Sequence, residues 1–448
     1  MKTRDEADRK SGNNLKWFIL IPTSLLLVLS IVLFIIFREQ LFYNRIDYTV
    51  QKYAPTEEML DAIDLEGYVP SYMLSKTKEL LIRKQGTSPY ILSWYLLPGQ
   101  LESMTAGQSQ YLEATDQILL MRLYVAKGDK KNAKTLMKAI DKDFTDDTGN
   151  IVGYRFISEI SAISDSAPKN EYHLEMEDPD MTSGVSLEAN CAYLRALLEY
   201  YSKWGMLEDW ERIEELAALI YSDGQFLKDR MFDPLQDTDI LVGLEDSQAY
   251  LEANPEINEA FPTLMLSALD LQAFRMLAEA DEKYRPMYEE ALALVEGGLL
   301  TDDLPIFSLA YSGEYGGYVY YIGKEAEVQL IPSLKTMLHL AEVGELPKES
   351  LAWVKEQIFN SGYLYERYDI ISGNPTSEIE ATEAYGLVLQ IAVAVGDTDL
   401  YLRTLTRLER SLATLDTSVA KYLIFRNAES KRNTVTAKDN LQTMLGMR

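Results

Sequence analysis

Carboxylates at the heads of apolar stretches are the residues of this chain best equipped for chemistry. Glu113 lies in Ser109-Gln110-Tyr111-Leu112-Glu113-Ala114-Thr115-Asp116-Gln117, the opening of a helix expected to run on to Lys127. Glu188 follows Ser186, Glu325 and Glu327 precede Val328, and Glu380 follows Ser377, each heading another apolar run. Two carboxyls in one cleft can do acid–base work when one keeps its proton and the other is ionised. Asp116, one turn beyond Glu113, supplies a like charge that favours a proton on its neighbour. The same acids also have a structural reading. A helix dipole favours carboxylates in the first turn, and Ser377-x-x-Glu380 has the form of a capping box. Asp141, Asp143, Thr145 and Asp147 alternate like a calcium loop, but Asp146 stands where that loop needs glycine, so the segment reads as a helix-ending turn.

Such carboxylates act together only if the helices that carry them bring their N-termini to one place. Apolar helices are expected from Ser109, Ser186, Phe261, Glu325 and Ser377, each followed by a more amphipathic one. The breaks between partners are alike, as in Ala126-Lys127-Gly128-Asp129 and Ala394-Val395-Gly396-Asp397, where glycine supplies a left-handed helix end. The first helix of each pair is apolar all round and should be buried on all sides; the second has one apolar stripe. With a helix at Pro70 to Gln85 and a closing helix near Asp439 to Met447, about twelve helices result, inner ones paired with outer ones. The expected fold is all-α, an (α/α)6 toroid over 57–448, preferred to an open solenoid because the spacing is irregular and long inserts precede the inner helices.

Composition narrows the function. The 448 residues include 43 Lys+Arg against 70 Asp+Glu, a net charge of -27 that repels phosphate backbones, so no nucleic-acid partner is expected. Cys191 is the only cysteine, and with only His173 and His339 a histidine-rich zinc site is not expected; no metal or cofactor is assigned. Trp17 to Phe37 carries no charge and is long enough to span a bilayer. The chain is therefore expected as a tail (1–16), a transmembrane anchor (17–37), a tether (38–56) and the toroid. The excess of cations before the anchor places the N-terminus in the cytoplasm and the toroid outside the cell membrane.

Four places carry a resemblance to a known family. They are Glu113-Ala114; Asp147-Thr148-Gly149-Asn150-Ile151-Val152-Gly153-Tyr154-Arg155-Phe156; Glu188-Ala189-Asn190 before Leu194-Arg195-Ala196-Leu197; and Glu325-Ala326-Glu327-Val328 before Ile331-Pro332-Ser333-Leu334. In order and spacing they resemble glycoside hydrolase family 8, in particular membrane-anchored members found with exopolysaccharide synthesis genes in Gram-positive bacteria. The resemblance implies an (α/α)6 barrel and inverting hydrolysis of a β-1,4-glucan-type secreted polysaccharide. The two carboxyls of such a centre stand roughly 6.5 to 9.5 Å apart. It makes Glu113 the general acid, Glu327 the candidate base and Glu188 an orienting group for water or sugar. It also departs from the family: Leu112 replaces the usual serine, Asp116 and Gln117 replace a glycine and a tyrosine, and Asn190 stands at a key aspartate position.

Sugar rings stack on aromatic faces and hydrogen-bond at their rims, so Trp94, Tyr95, Tyr154, Tyr318, Asp116 and Asn190 are the expected substrate-binding residues. The expected partners are a polysaccharide, the membrane and a membrane polysaccharide synthase complex. The rival expectation is a polysaccharide-binding module with little or no catalysis, which the altered motifs favour. A third is an α-solenoid scaffold that binds proteins.

Overall fold

A computed structural model describes Ser30 and residues 45–50, 53–65, 70–85, 88–97, 107–157, 160, 184–228, 230–232, 240–241, 261–301, 304–313, 316–321, 327–427 and 433–448. Thirteen α-helices are formed among these: α1 (Glu57–Leu65), α2 (Pro70–Leu80), α3 (Ala114–Ala126), α4 (Lys130–Asp143), α5 (Leu187–Trp204), α6 (Leu207–Ile220), α7 (Leu271–Ala280), α8 (Arg285–Gly297), α9 (Leu330–Val343), α10 (Lys348–Glu356), α11 (Thr382–Val395), α12 (Thr398–Leu408) and α13 (Ala437–Gly446).

Six of them form a closed ring. α3 packs on α5, α5 on α7, α7 on α9, α9 on α11, α11 on α13, and α13 returns to α3. The outer layer follows the sequence pattern: α4 backs α3, α6 backs α5, α8 backs α7 and α12 backs α11, while α2 lies against α13. The sixth inner–outer pair is thus made from the two ends of the domain, as expected. Burial matches the pattern, since α3, α5, α9 and α11 bury most of their residues and α4 buries only Ala133, Leu136, Met137, Ala139 and Ile140 on one stripe. The glycine breaks do what their spacing predicts. Gly344 and Gly396 cap α9 and α11 at φ 85° and 72°, and the aspartates that follow Gly128 and Gly396 cap the outer helices, Asp129 accepting from Asn132 N at 3.1 Å and Asp397 from Leu400 N at 3.0 Å.

The inner helices start later than expected. Tyr111–Glu113, Phe261–Met265 and Glu327–Gln329 are strands that run into α3, the turn before α7, and α9. Each finds an antiparallel partner, Tyr154–Phe156 for the first and Arg367–Asp369 for the third, and these pairings outweigh helix propensity. The helix expected over Pro70 to Gln85 ends at Leu80, and Ile82–Gln85 turns back along Ser88–Ile91 as a hairpin. Ser377-x-x-Glu380 does not cap a helix: α11 begins at Thr382, and Glu380 binds Arg407 and the Tyr385 hydroxyl.

The structure does not support the expected single-pass helix, nor the membrane partner and cell-membrane topology built on it. Among the described residues no helix is long and apolar enough to cross a membrane. Apart from Ser30, Trp17 to Phe37 lies outside the described residues. Residues 45–50 and 53–56 run across the C-terminal ends of inner helices. Arg45 donates to Ser202 O at 3.2 Å, Tyr48 Oη to Leu198 O at 2.7 Å, and the Tyr53 hydroxyl to the Glu342 carbonyl.

Candidate functional site

The N-terminal ends of the inner helices form a mouth, to which Glu113, Glu188, Lys335, Glu383 and Lys438 bring charge. Glu113 is the last residue of its strand and occupies the N-cap position of α3 without capping it. Its backbone N donates to Ser93 Oγ at 3.0 Å, while the Ser93 carbonyl accepts from Ala437 N at 2.9 Å. Ser93 therefore holds the starts of α3 and α13 side by side, and Lys438 makes an ion pair with Glu113. Across the mouth, Lys335 Nζ lies 2.9 Å from Glu188 Oε1 and 3.9 Å from Glu383 Oε1. Ser186 caps α5 as its sequence predicts, accepting from Ala189 N at 3.2 Å.

Burial and charge sort these groups. Burial opposes charge on Lys438, but Glu113, Asp116, Glu383 and Glu188 outweigh it and hold the ammonium well above its usual range. Burial pushes Glu188 up, yet Lys335 and Lys438 hold it below the usual carboxylate range. Asp116, in the first turn of α3, is fully buried, and neither of its oxygens has a hydrogen-bond partner. Burial, then the charge of Glu113, raises it well above the ordinary aspartate value, against the pull of Lys438. The folded state thus keeps a proton on Asp116 that the unfolded chain releases above pH 3.8. In that window the native state binds more protons, so this residue's contribution to stability falls as pH rises, by about 1.4 kcal/mol per unit until the folded pKa is reached. Asp116→Asn is expected to remove that decline and to stabilise the protein at neutral pH, read by urea unfolding between pH 4 and 8. An unchanged pH slope would show Asp116 ionised in the native protein.

Beneath the mouth the ring axis is filled. A cavity of about 70 Å³ separates the lysines from a buried ionic network. In it Arg195 binds Glu199 at 3.1 Å, Asp270 at 3.4 Å and both oxygens of Glu342, and Arg122 binds Glu199 at 2.9 Å. Asp270, His339 and Glu342 bring ligand atoms within 4.8 Å of one another. Arg195 already engages both carboxylates, and His339 Nε2 donates to Ser267 O at 3.2 Å, so the trio is an ion-paired cluster and not a free cation cage.

The expected site residues separate into two groups. Glu113, Asp116 and Glu188 come together at the mouth. Glu327 stands on the strand before α9, paired with Arg367 at 3.4 Å. Asn190 is fully buried, with Oδ1 accepting from Ile151 N at 3.0 Å and Nδ2 donating to Ile151 O and Ser186 O. Trp94, expected to bind substrate, is buried in a four-stranded sheet beside half-buried Tyr95. Tyr318 packs outward, donating to Leu294 O of α8 at 2.9 Å. Tyr154 is buried, but it sits in an aromatic file beside Glu113, edge-on to Tyr111 at 6.2 Å and to exposed Phe156 at 5.4 Å. The expected membrane-anchored hydrolase with an inverting two-carboxylate centre is corrected accordingly. Among the described residues no clear pair of unengaged carboxylates faces the mouth, because Glu113, Glu188 and Glu327 each hold a cation. Lys335, Glu383 and Lys438 are absent from the sequence-based list, although Lys335 heads a visible stripe with His339 and Glu342 on an otherwise apolar helix.

No family model matches the sequence, and no curated protein matches it. Solved structures do. A novel alpha-amylase from Clostridium perfringens is 19% identical, with a TM-score of 0.62 over 89% of this chain and 98% of that one. PssZ from Listeria monocytogenes is 16% identical, with a TM-score of 0.51 over 84% and 94%. Rex8A from Paenibacillus barcinonensis, complexed with xylose, is 13% identical, with a TM-score of 0.51 over 86% and 94%. At these identities the likeness shows fold alone: the chain shares the (α/α) toroid architecture of these proteins.

Proposed function

We propose that this protein is carbohydrate-active and binds a glycan strand across the mouth of the toroid. The observation that supports this best is the convergence of Glu113, Glu188, Glu383, Lys335 and Lys438 beside the file of Tyr111, Tyr154 and Phe156. Carboxylates and ammonium groups at this spacing accept from and donate to sugar hydroxyls, and the exposed Phe156 edge offers an apolar surface to a ring. A second reading, glycosidic-bond cleavage with Glu113 as proton donor, is favoured by the activity named for the amylase neighbour. It requires Glu113 to part from Lys438 when sugar binds.

The test uses the full chain against starch, xylan and mixed-linkage glucan, following both binding and reducing-end release, beside Glu113→Gln and Glu188→Gln. Binding that weakens about tenfold in either variant, as loss of a charge-assisted hydrogen bond predicts, supports the mouth as the glycan site. Cleavage that vanishes in Glu113→Gln supports the hydrolytic reading. Absence of both binding and cleavage on all three polymers would sink the proposal.

A further inference from the structure

The end of the ring opposite the mouth holds a second and larger cavity, about 230 Å³. Val50, Tyr53 and Ala54 line it on one side, and Arg195 and Gln390 line both it and the axial cavity. One part of its wall is apolar, formed by Val50, Val125, Val393 and Leu445. The other part carries Arg448 and Lys203, with Glu199 and Glu342 behind them. The two anions are engaged by Arg122 and Arg195. Lys203 leans on the last carbonyls of α3, at Val125 and Ala126. Arg448 makes no hydrogen bond or ion pair among the described residues. Arg448 is exposed; desolvation, with Arg122 and Arg195, lowers its guanidinium to about 10 against the pull of Glu199 and Glu342. A guanidinium that bonds no carboxylate, lining the same cavity as an apolar wall, fits an amphiphilic anion: a planar oxyanion for its fork and hydrocarbon for the wall.

We infer that this basal cavity is a binding site for a small organic carboxylate, with the carboxylate on Arg448 beside Lys203 and the apolar part against Val125, Val393 and Leu445. The site is separate from the mouth and does not depend on the glycan reading. Its size suits a small molecule and excludes a polymer strand.

The experiment titrates acetate and hexanoate into the full chain by calorimetry, with ionic strength held constant by chloride. Hexanoate is expected to bind saturably and at least about tenfold tighter than acetate, because each added methylene meets the apolar wall. Arg448→Gln is expected to weaken hexanoate about tenfold or more, and Arg448→Lys to retain part of the affinity. Circular dichroism and the melting temperature establish that both variants fold. Equal affinity for the two acids, unchanged hexanoate binding in folded Arg448→Gln, or no saturable heat with hexanoate would each overturn the inference.

Discussion

Arg195→Met is expected to lower the unfolding free energy by about 3 to 5 kcal/mol, the cost of leaving buried charges without their partner. Arg195 is 3% exposed and joins Glu199 of its own helix to Asp270 at the head of α7 and Glu342 near the end of α9. Methionine fills similar space but abandons carboxylates on three ring helices. The network also sets an acid limb. Burial opposes ionisation of Glu199, but Arg122 and Arg195 hold it down at about 2, against an ordinary 4.5. A carboxylate depressed in the folded state stabilises above its unfolded pKa and loses that contribution as pH falls towards 2. The shift corresponds to about 3 kcal/mol. Urea denaturation of the full chain should therefore show Arg195→Met much less stable at pH 7 and its acid limb shallower. A loss below about 1 kcal/mol at pH 7 would show that water reaches the network and screens it.

Gly386→Val is expected to be strongly damaging at the buried seam between α11 and α13, costing about 3 kcal/mol or more by overpacking. A Cβ on Gly386 would stand 2.8 Å from Thr443 N and 3.0 Å from Gln442 C, both backbone atoms that cannot swing aside. A Cβ on Gly446 would meet Leu389 Cβ at 2.7 Å from the other helix. These two glycines let α11 and α13 touch along their backbones, and Gln390 Nε2 bonds Gln442 Oε1 across the seam at 2.7 Å. Separating the helices would also carry Lys438 away from Glu113, so weaker glycan binding should accompany the instability. Urea unfolding and amide exchange in α13 measure the effect. Stability within about 0.5 kcal/mol of the parent would show that the seam relaxes.

The ring was legible because its cause is local: apolar helices, amphipathic partners and glycine–aspartate breaks recur along the chain. The crown of short strands was not, because Tyr111–Glu113 and Glu327–Gln329 become strands only on meeting partners about forty residues away, Tyr154–Phe156 and Arg367–Asp369. Glu113, Asp116 and Glu188 were readable as acids near helix starts. Their counter-ions were not, since Lys335 and Lys438 come from other inner helices and only closure of the ring brings them near. One signal was available. Inner helices apolar nearly all round still carry polar stripes at helical spacing: Glu188, Arg195 and Glu199 on α5, Lys335, His339 and Glu342 on α9, and Lys438 with Gln442 on α13. On a helix buried on all sides, such a stripe marks the side facing the ring axis.

The filled axis constrains how a polymer can use the molecule. Arg195 and its partners block the centre, and residues 45–50 and 53–56 cross the far end, so the toroid is a cup and not a pipe. A strand cannot thread it from face to face. It lies across the rim or dips one end in, and whatever enters must leave by the same opening.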